Sequence, residues 1–114
     1  MRRGDTLCFE KAPVIRAFAA VGGKREGRGP LRRGFDRLYT DNYLGQPSWE
    51  KAEQALQSSC LEQLLQKAGL GPGGVDLVFA GDLQSQCTAS SYAMRGLDAP
   101  FAGLYGACST MAEA

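Results

Sequence analysis

The chain has 114 residues, of which 44% are hydrophobic, a share typical of a globular protein and not of a disordered one. Its net charge is +1, but residues 1–40 carry ten Lys or Arg against four Asp or Glu, whereas the remainder carries three against eight. A basic segment of this kind contacts nucleic acid or an anionic membrane, or is simply a solvated loop. No aromatic residue lies between Lys24 and Arg33 to stack on bases. We therefore expect a surface loop and no nucleic-acid partner.

The longest apolar run, Ala17–Val21, is far shorter than the ~20 residues that a membrane-spanning helix needs. No apolar stretch suited to a signal peptide follows the first residues, so we expect a cytoplasmic chain. The four cysteines lie far apart, without a CxxC pair, and this spacing predicts reduced thiols and no metal site. They are Cys8, Cys60, Cys87 and Cys108. The chain contains no histidine.

In chain order, the first predicted element is a buried strand over Pro13–Val21, an apolar and partly β-branched run. A glycine-rich basic loop, Gly22–Arg33, follows. The segment Gly34–Leu44 carries aromatic residues at a four-residue spacing, which predicts one face of a short helix. These aromatic residues are Phe35, Tyr39 and Tyr43.

A long helix is predicted from about Ser48 to Ala68, and it is the clearest element in the sequence. Ser48 suits the N-cap, and Gly69 suits the left-handed residue that ends a helix. Apolar residues recur every three or four positions and form a stripe that we expect to be buried. The stripe comprises Trp49, Ala52, Leu56, Cys60 and Leu64, widened by Leu61, Leu65 and Ala68.

The remaining elements alternate between strands and helical segments. A short strand is predicted at Val75–Ala80, a helical segment from Asp82 to about Gly96, and another strand at Ala99–Tyr105. Gly106–Thr110 then turns into a new helix. This alternation predicts an α/β fold with parallel strands and crossover helices. Three strands leave the sheet incomplete, so we expect residues 1–114 to be part of one larger domain.

Cys108 is the residue most suggestive of chemistry, because it lies between a predicted strand and a helix start. The helix dipole and free amides favour a thiolate there, as in a nucleophile, although a buried structural cysteine is the alternative. A cysteine nucleophile needs a base or an ion-pair partner, normally histidine. Since the chain has none, we expect no catalytic residue and no cofactor within it.

Polar residues follow the strand that ends at Ala80. Asp82, Gln84 and Gln86 come directly after it, and the carboxyl ends of parallel strands are where α/β folds collect ligands. We therefore name Asp82 and Gln86, with Cys108, as candidate ligand-binding residues. Alternatively, Asp82 caps the next helical segment.

The turn Gly103–Thr110 (GLYGACST) resembles the nucleophile turn of thiolases and β-ketoacyl synthases. A closer resemblance, covering nearly the whole chain, is to the N-terminal part of the family of stage V sporulation protein AD. It is carried in order and spacing by five blocks: FEKAP (9–13), GPLRRGFD (29–36), SWEKAE (48–53), AGDLQSQ (80–86) and PFAGLYGACST (100–110).

This resemblance implies a partial thiolase-like fold and a non-enzymatic protein of spore formation and germination that binds dipicolinic acid. It also implies a position peripheral to the spore or forespore inner membrane, alongside other proteins of a membrane transport complex. Cys108 would then lie at the bottom of the ligand pocket, and we further expect a homo-oligomer. The alternative is an acyl-transferring condensing enzyme of the ketoacyl synthase or thiolase type, with Cys108 as nucleophile.

Overall fold

The computed structural model describes residues 1–84 and 87–114, and within these ranges the chain forms short strands, three α-helices and several 3-10 turns. In chain order the elements are β1 (Arg2–Arg3), β2 (Thr6–Leu7), β3 (Val21–Gly22), β4 (Arg37–Leu38), α1 (Trp49–Ala68), β5 (Val78–Ala80), α2 (Thr88–Ala93), β6 (Phe101–Gly103) and α3 (Thr110–Glu113).

Helix α1 begins and ends as its sequence predicts. The Ser48 hydroxyl accepts a hydrogen bond from the Lys51 amide at 3.3 Å, which satisfies one of the free donors of the first turn. At the other end Gly69 adopts a left-handed conformation with φ 65°, and the Leu70 amide donates to the Leu65 carbonyl at 3.0 Å. The predicted helix is confirmed, because both ends are specified by local capping chemistry.

Strands β5 and β6 run parallel, with α2 in the connection between them. Val78 pairs with Phe101 and Ala80 pairs with Gly103. The predicted helical segment that links them is present as α2, which begins at Thr88 and not at the predicted Asp82, and it is extended by a 3-10 turn over Met94–Gly96. A second parallel pair is formed by β3 and β4. The strand pairs of the described residues remain separate two-stranded sheets and do not join into one larger sheet, which confirms the predicted partial α/β fold.

The strand predicted at Pro13–Val21 is largely wrong. Only Val21 at its end is paired, opposite Arg37 of β4. Val14 and Ile15 are 86% and 87% exposed. The apolar, β-branched composition favours extended backbone, but a strand also needs a neighbouring strand to pair with, and none of the described strands pairs with residues 13–20.

The helix predicted within Gly34–Leu44 is also wrong. Its residues form the end of a 3-10 turn, strand β4 and further turns. Two of the three aromatic residues contact α1 instead, and the ring of Phe35 lies against Gly22 of β3. The Tyr39 hydroxyl donates to the Ser59 hydroxyl at 2.7 Å, and the ring of Tyr43 stacks on that of Trp49 with centroids 4.0 Å apart. These tertiary contacts, and not a helical face, account for the aromatic spacing.

The best-buried residues are small and lie on α1, on α2 and next to them. Ala89 is 1% exposed and Ser90 is fully buried on α2, while Ala52 and Ser59 are the buried residues of α1. Small side chains let the two helices approach closely, and α1 and α2 contact each other more extensively than any other pair of described elements. The core is therefore formed by this helix pair beside β5 and β6.

The prediction that the apolar stripe of α1 is buried is wrong for its larger residues, which are half-buried, and Trp49 is 55% exposed. Leu61, Leu64 and Leu65 line a groove that continues over the extended segment at Val14–Ala17 and over β5. We call this groove the open apolar face; it is lined by Val14, Ile15, Leu61, Leu64, Leu65 and Phe79, among others. Its exposure is the consequence of the incomplete sheet.

We expect the purified chain to self-associate through the open apolar face, because burying apolar surface is worth ~25 cal/mol per Å². Ile15→Asp should shift the chain towards monomer in light scattering after size-exclusion chromatography. Leu7→Asp, at a residue that is 79% exposed and outside the groove, is the matched control and should associate like the parent. A parent chain that is monomeric at every concentration would contradict this expectation.

Candidate functional site

The carboxyl ends of β5 and β6 lie side by side and form the edge of the candidate site. The Leu104 amide donates to the Ala80 carbonyl at 2.9 Å, so the two strands leave the sheet together. Gly81 follows β5 directly, and the turn that carries Cys108 follows β6. This is the edge at which parallel α/β sheets bind ligands.

Gly81 allows the two connections to touch. A Cβ atom at this position would collide with the Leu104 carbonyl oxygen and lie 2.8 Å from the Thr110 methyl group. Only glycine fits against a backbone carbonyl at such a distance. The turn after β5 and the start of α3 are therefore packed directly against each other.

Asp82 is only 7% exposed, and both oxygens of its carboxylate accept hydrogen bonds from the chain. Oδ2 accepts from the Ser90 amide at 2.8 Å and from the Ser90 hydroxyl at 2.6 Å, and Oδ1 accepts from the Gln84 amide at 2.8 Å. Burial raises the pKa of Asp82, but these hydrogen bonds outweigh it, so the pKa lies below its usual value. The carboxylate thus fixes the chain between β5 and α2, as the capping alternative predicted.

A ligand contact by Asp82 stays a prediction, and any such contact would have to share oxygens that already accept hydrogen bonds within the chain. The second polar residue of the predicted set, Gln86, lies outside the described residues. The structure therefore does not bring the three candidate residues into one described cluster.

Cys108 lies in a 3-10 turn, Ala107–Ser109, immediately before α3. Its side chain is exposed, which differs from the buried structural alternative. Ala107 has a φ of 50°, a left-handed conformation that non-glycine residues rarely adopt and that re-aims the chain at this point. The Ser109 hydroxyl donates to the Gly106 carbonyl at 2.7 Å and also contacts the Glu113 carboxylate. The predicted strand-to-helix turn is confirmed, with its thiol facing solvent.

Two other cysteines have structural environments. Cys87 is 5% exposed, and its thiol donates to the Leu104 carbonyl at 2.9 Å, close to the end of β6. The Cys60 thiol points at the Ala19 carbonyl at 3.6 Å, and burial raises its pKa above the usual value. Burial and its hydrogen bond therefore shield the Cys87 thiol, and the raised pKa of Cys60 disfavours its thiolate, in contrast to the exposed side chain of Cys108.

Two buried polar atoms near this edge lack a hydrogen-bond partner among the described residues: Gln84 Oε1 and Thr110 Oγ1. Thr110 was not singled out from the sequence, although its position two residues after Cys108, at the start of α3, is the signal that could have identified it. Unpaired buried oxygens are costly unless a water or ligand group donates to them. A ligand group that reached Gln84 Oε1 or Thr110 Oγ1 would supply the missing hydrogen-bond partner.

The described residues contain no group of three or more Cys, Asp or Glu side chains arranged to hold a metal ion. In the same part of the chain, none of the helices combines the length and the apolar character required to cross a bilayer.

The fold and its edge define a partial α/β unit with an exposed cysteine in a strand-to-helix turn. The family model of stage V sporulation protein AD matches residues 3–114. The stage V sporulation protein AD of Bacillus subtilis (strain 168) is 37% identical over 109 residues, which cover 96% of this chain and 32% of that protein. The chain belongs to the stage V sporulation protein AD family, and it spans about a third of the length of the curated relative it matches. The resemblance stated from the sequence is thereby confirmed.

We expect Asp82 to make stability depend on acid pH. Its folded pKa lies below the unfolded value of about 3.9, so its stabilising contribution is complete above that pH and is lost as pH falls through the folded pKa. Asp82→Asn should lower stability at pH 7 by about 1–3 kcal/mol, since charge-assisted hydrogen bonds to Ser90 are lost.

The measurement is urea denaturation at a series of pH values from 7 to 2.5. The difference in free energy of unfolding between the parent and Asp82→Asn should become smaller as the pH falls. Asp98→Asn, at an exposed carboxylate, removes the same charge and serves as the control. A gap that stays constant over this pH range would show that the carboxylate of Asp82 is not the group responsible.

Proposed function

We propose that this chain contributes to a non-enzymatic, dipicolinic-acid-binding component of the spore-formation and germination machinery. Membership of the stage V sporulation protein AD family is the observation that carries the proposal. The partners are dipicolinic acid, other proteins of the spore membrane transport complex and further copies of the same protein. The proposed location is the periphery of the spore or forespore inner membrane.

The site supports binding through its free polar groups. Dipicolinic acid is a planar pyridine dicarboxylate, so its pocket has to offer hydrogen-bond donors. The hydroxyl of Thr110 is buried without a partner among the described residues, and Cys108 is exposed on the turn two residues earlier. In this proposal Thr110 donates to a ligand carboxylate and the Cys108 side chain forms part of the pocket wall.

The second candidate is a condensing enzyme that transfers acyl groups through Cys108. The exposed thiol on a strand-to-helix turn favours it, because that is where such a nucleophile is placed. Against it, the chain has no histidine, and no described side chain forms a hydrogen bond or an ion pair with the thiol. The catalytic base that this candidate requires is therefore not among the residues of this chain.

The two candidates predict different results for Cys108→Ala. If the sulfur is part of a pocket wall, its removal costs one contact worth about 1 kcal/mol, or roughly a fivefold loss of affinity for dipicolinic acid. Cys108→Trp should block the pocket, and Cys8→Ala is the matched control. Calorimetry is performed on the full-length Bacillus subtilis relative with this chain in place of the matching region.

Mass spectrometry after incubation with acyl-coenzyme A donors completes the comparison. We expect no acyl group on Cys108. A stable acyl adduct that disappears in Cys108→Ala would establish the enzyme, and a parent protein without affinity for dipicolinic acid would contradict the binding function.

A further inference from the structure

The segment 24–37 carries most of the positive charge of the chain. It contains six Lys or Arg and two Asp or Glu, so its net charge is +4 in a chain whose total is +1. All six basic side chains are exposed. We call this segment the basic loop; its basic residues are Lys24, Arg25, Arg28, Arg32, Arg33 and Arg37.

The basic loop has a defined shape. Its 3-10 turns, Glu26–Arg28 and Arg32–Gly34, contact each other, and the Gly34 amide donates to the Leu31 carbonyl at 2.8 Å. Both ends are fixed by the pairing of β3 with β4. The arginines are thus presented on a structured surface, which reduces the entropy lost when they bind a partner.

Asp36, one of the two acidic residues of the loop, pairs with residues outside the loop and not with its arginines. Asp36 accepts a hydrogen bond from the Ala20 amide at 2.9 Å and pairs with Lys67 of α1 at 2.8 Å. By contrast, Arg28, Arg32 and Arg33 form no ion pair or hydrogen bond through their side chains with any described residue. Their charge is available to an anionic partner.

An exposed apolar side chain lies among these arginines. Leu31 is 74% exposed and is flanked in sequence by Pro30 and Arg32. With Ala20, Pro30 and Phe35 it lines a shallow apolar hollow whose rim includes Arg33. Cationic residues around an exposed leucine match the interface of a bilayer, where phosphates lie directly above acyl chains.

We propose that the basic loop binds the anionic lipid surface of a membrane, with Leu31 inserted at the head-group boundary and the arginines on lipid phosphates. Nucleic acid fits less well, because no aromatic residue lies between Lys24 and Arg33. The inference rests on the membrane-peripheral part of the proposed function and gives that location a specific surface of this chain.

Flotation of the 114-residue chain with phosphatidylcholine vesicles, with and without phosphatidylglycerol, tests the proposal. We expect binding to the anionic vesicles only, and release as salt is raised from ~0.1 M to ~1 M, which shortens the screening length from ~10 Å to ~3 Å. Replacing Arg28, Arg32 and Arg33 by Gln should weaken binding by about 100-fold, since each basic residue near the surface is worth about fivefold.

The charge-matched control replaces Arg3, Lys11 and Arg16 by Gln, three exposed residues outside the loop, and should bind nearly as the parent does. Leu31→Ser leaves every charge in place and should still weaken binding severalfold, which tests insertion even if the triple variant fails to fold. Circular dichroism checks the fold of each variant.

If the loop variant and its control lost affinity for anionic vesicles equally, the proposal would be overturned, because binding would then depend on the total positive charge of the chain and not on the basic loop. Equal binding to neutral vesicles, or loop-dependent binding of a single-stranded oligonucleotide without vesicle binding, would also overturn the proposal. The vesicles contain no dipicolinic acid, so a failure here leaves the proposed ligand unaffected, and loss of dipicolinic acid affinity would leave this result unaffected.

Discussion

The carboxylate of Asp82 is the interaction on which the candidate site depends. It is buried at the end of β5 and accepts hydrogen bonds from the amide and hydroxyl of Ser90, eight residues further on. These bonds fix α2 beside β5, and α2 in turn determines where β6 begins. The turn with Cys108 leaves β6 next to Gly81, so the position of the thiol follows from a carboxylate that does not itself face solvent.

The basic loop and the turn with Cys108 form two different surfaces of the chain. The basic loop extends from the β3–β4 pair, whereas the Cys108 turn follows β6 of the other parallel pair. In the proposed function the first surface contacts a membrane and the second contributes to a ligand pocket. The open apolar face is separate from both, since its lining comes from α1, β5 and the segment at Val14–Ala17.

Local chemistry made α1 and the Cys108 turn predictable from the sequence. The helix is specified by Ser48 and Gly69 at its ends, and the turn by its small residues after a short apolar strand. The segments Pro13–Val21 and Gly34–Leu44 were mispredicted because composition and spacing do not reveal a missing strand neighbour or a tertiary partner such as Trp49. The position of Thr110 two residues after Cys108 could have marked it in the sequence, but its burial beside Gly81 without a partner among the described residues follows only from the tertiary packing.

The claim that Asp82 holds α2 beside β5 is tested most directly by measuring how accessible the individual thiols are to a reagent. Alkylation with iodoacetamide, followed residue by residue with mass spectrometry, should modify the exposed Cys108 quickly and the buried Cys87 slowly. In Asp82→Ala, where α2 loses its attachment, Cys87 should become reactive while Cys108 changes little. If Cys87 reacts as fast as Cys108 in the parent chain, or stays protected without Asp82, the carboxylate does not hold this site together.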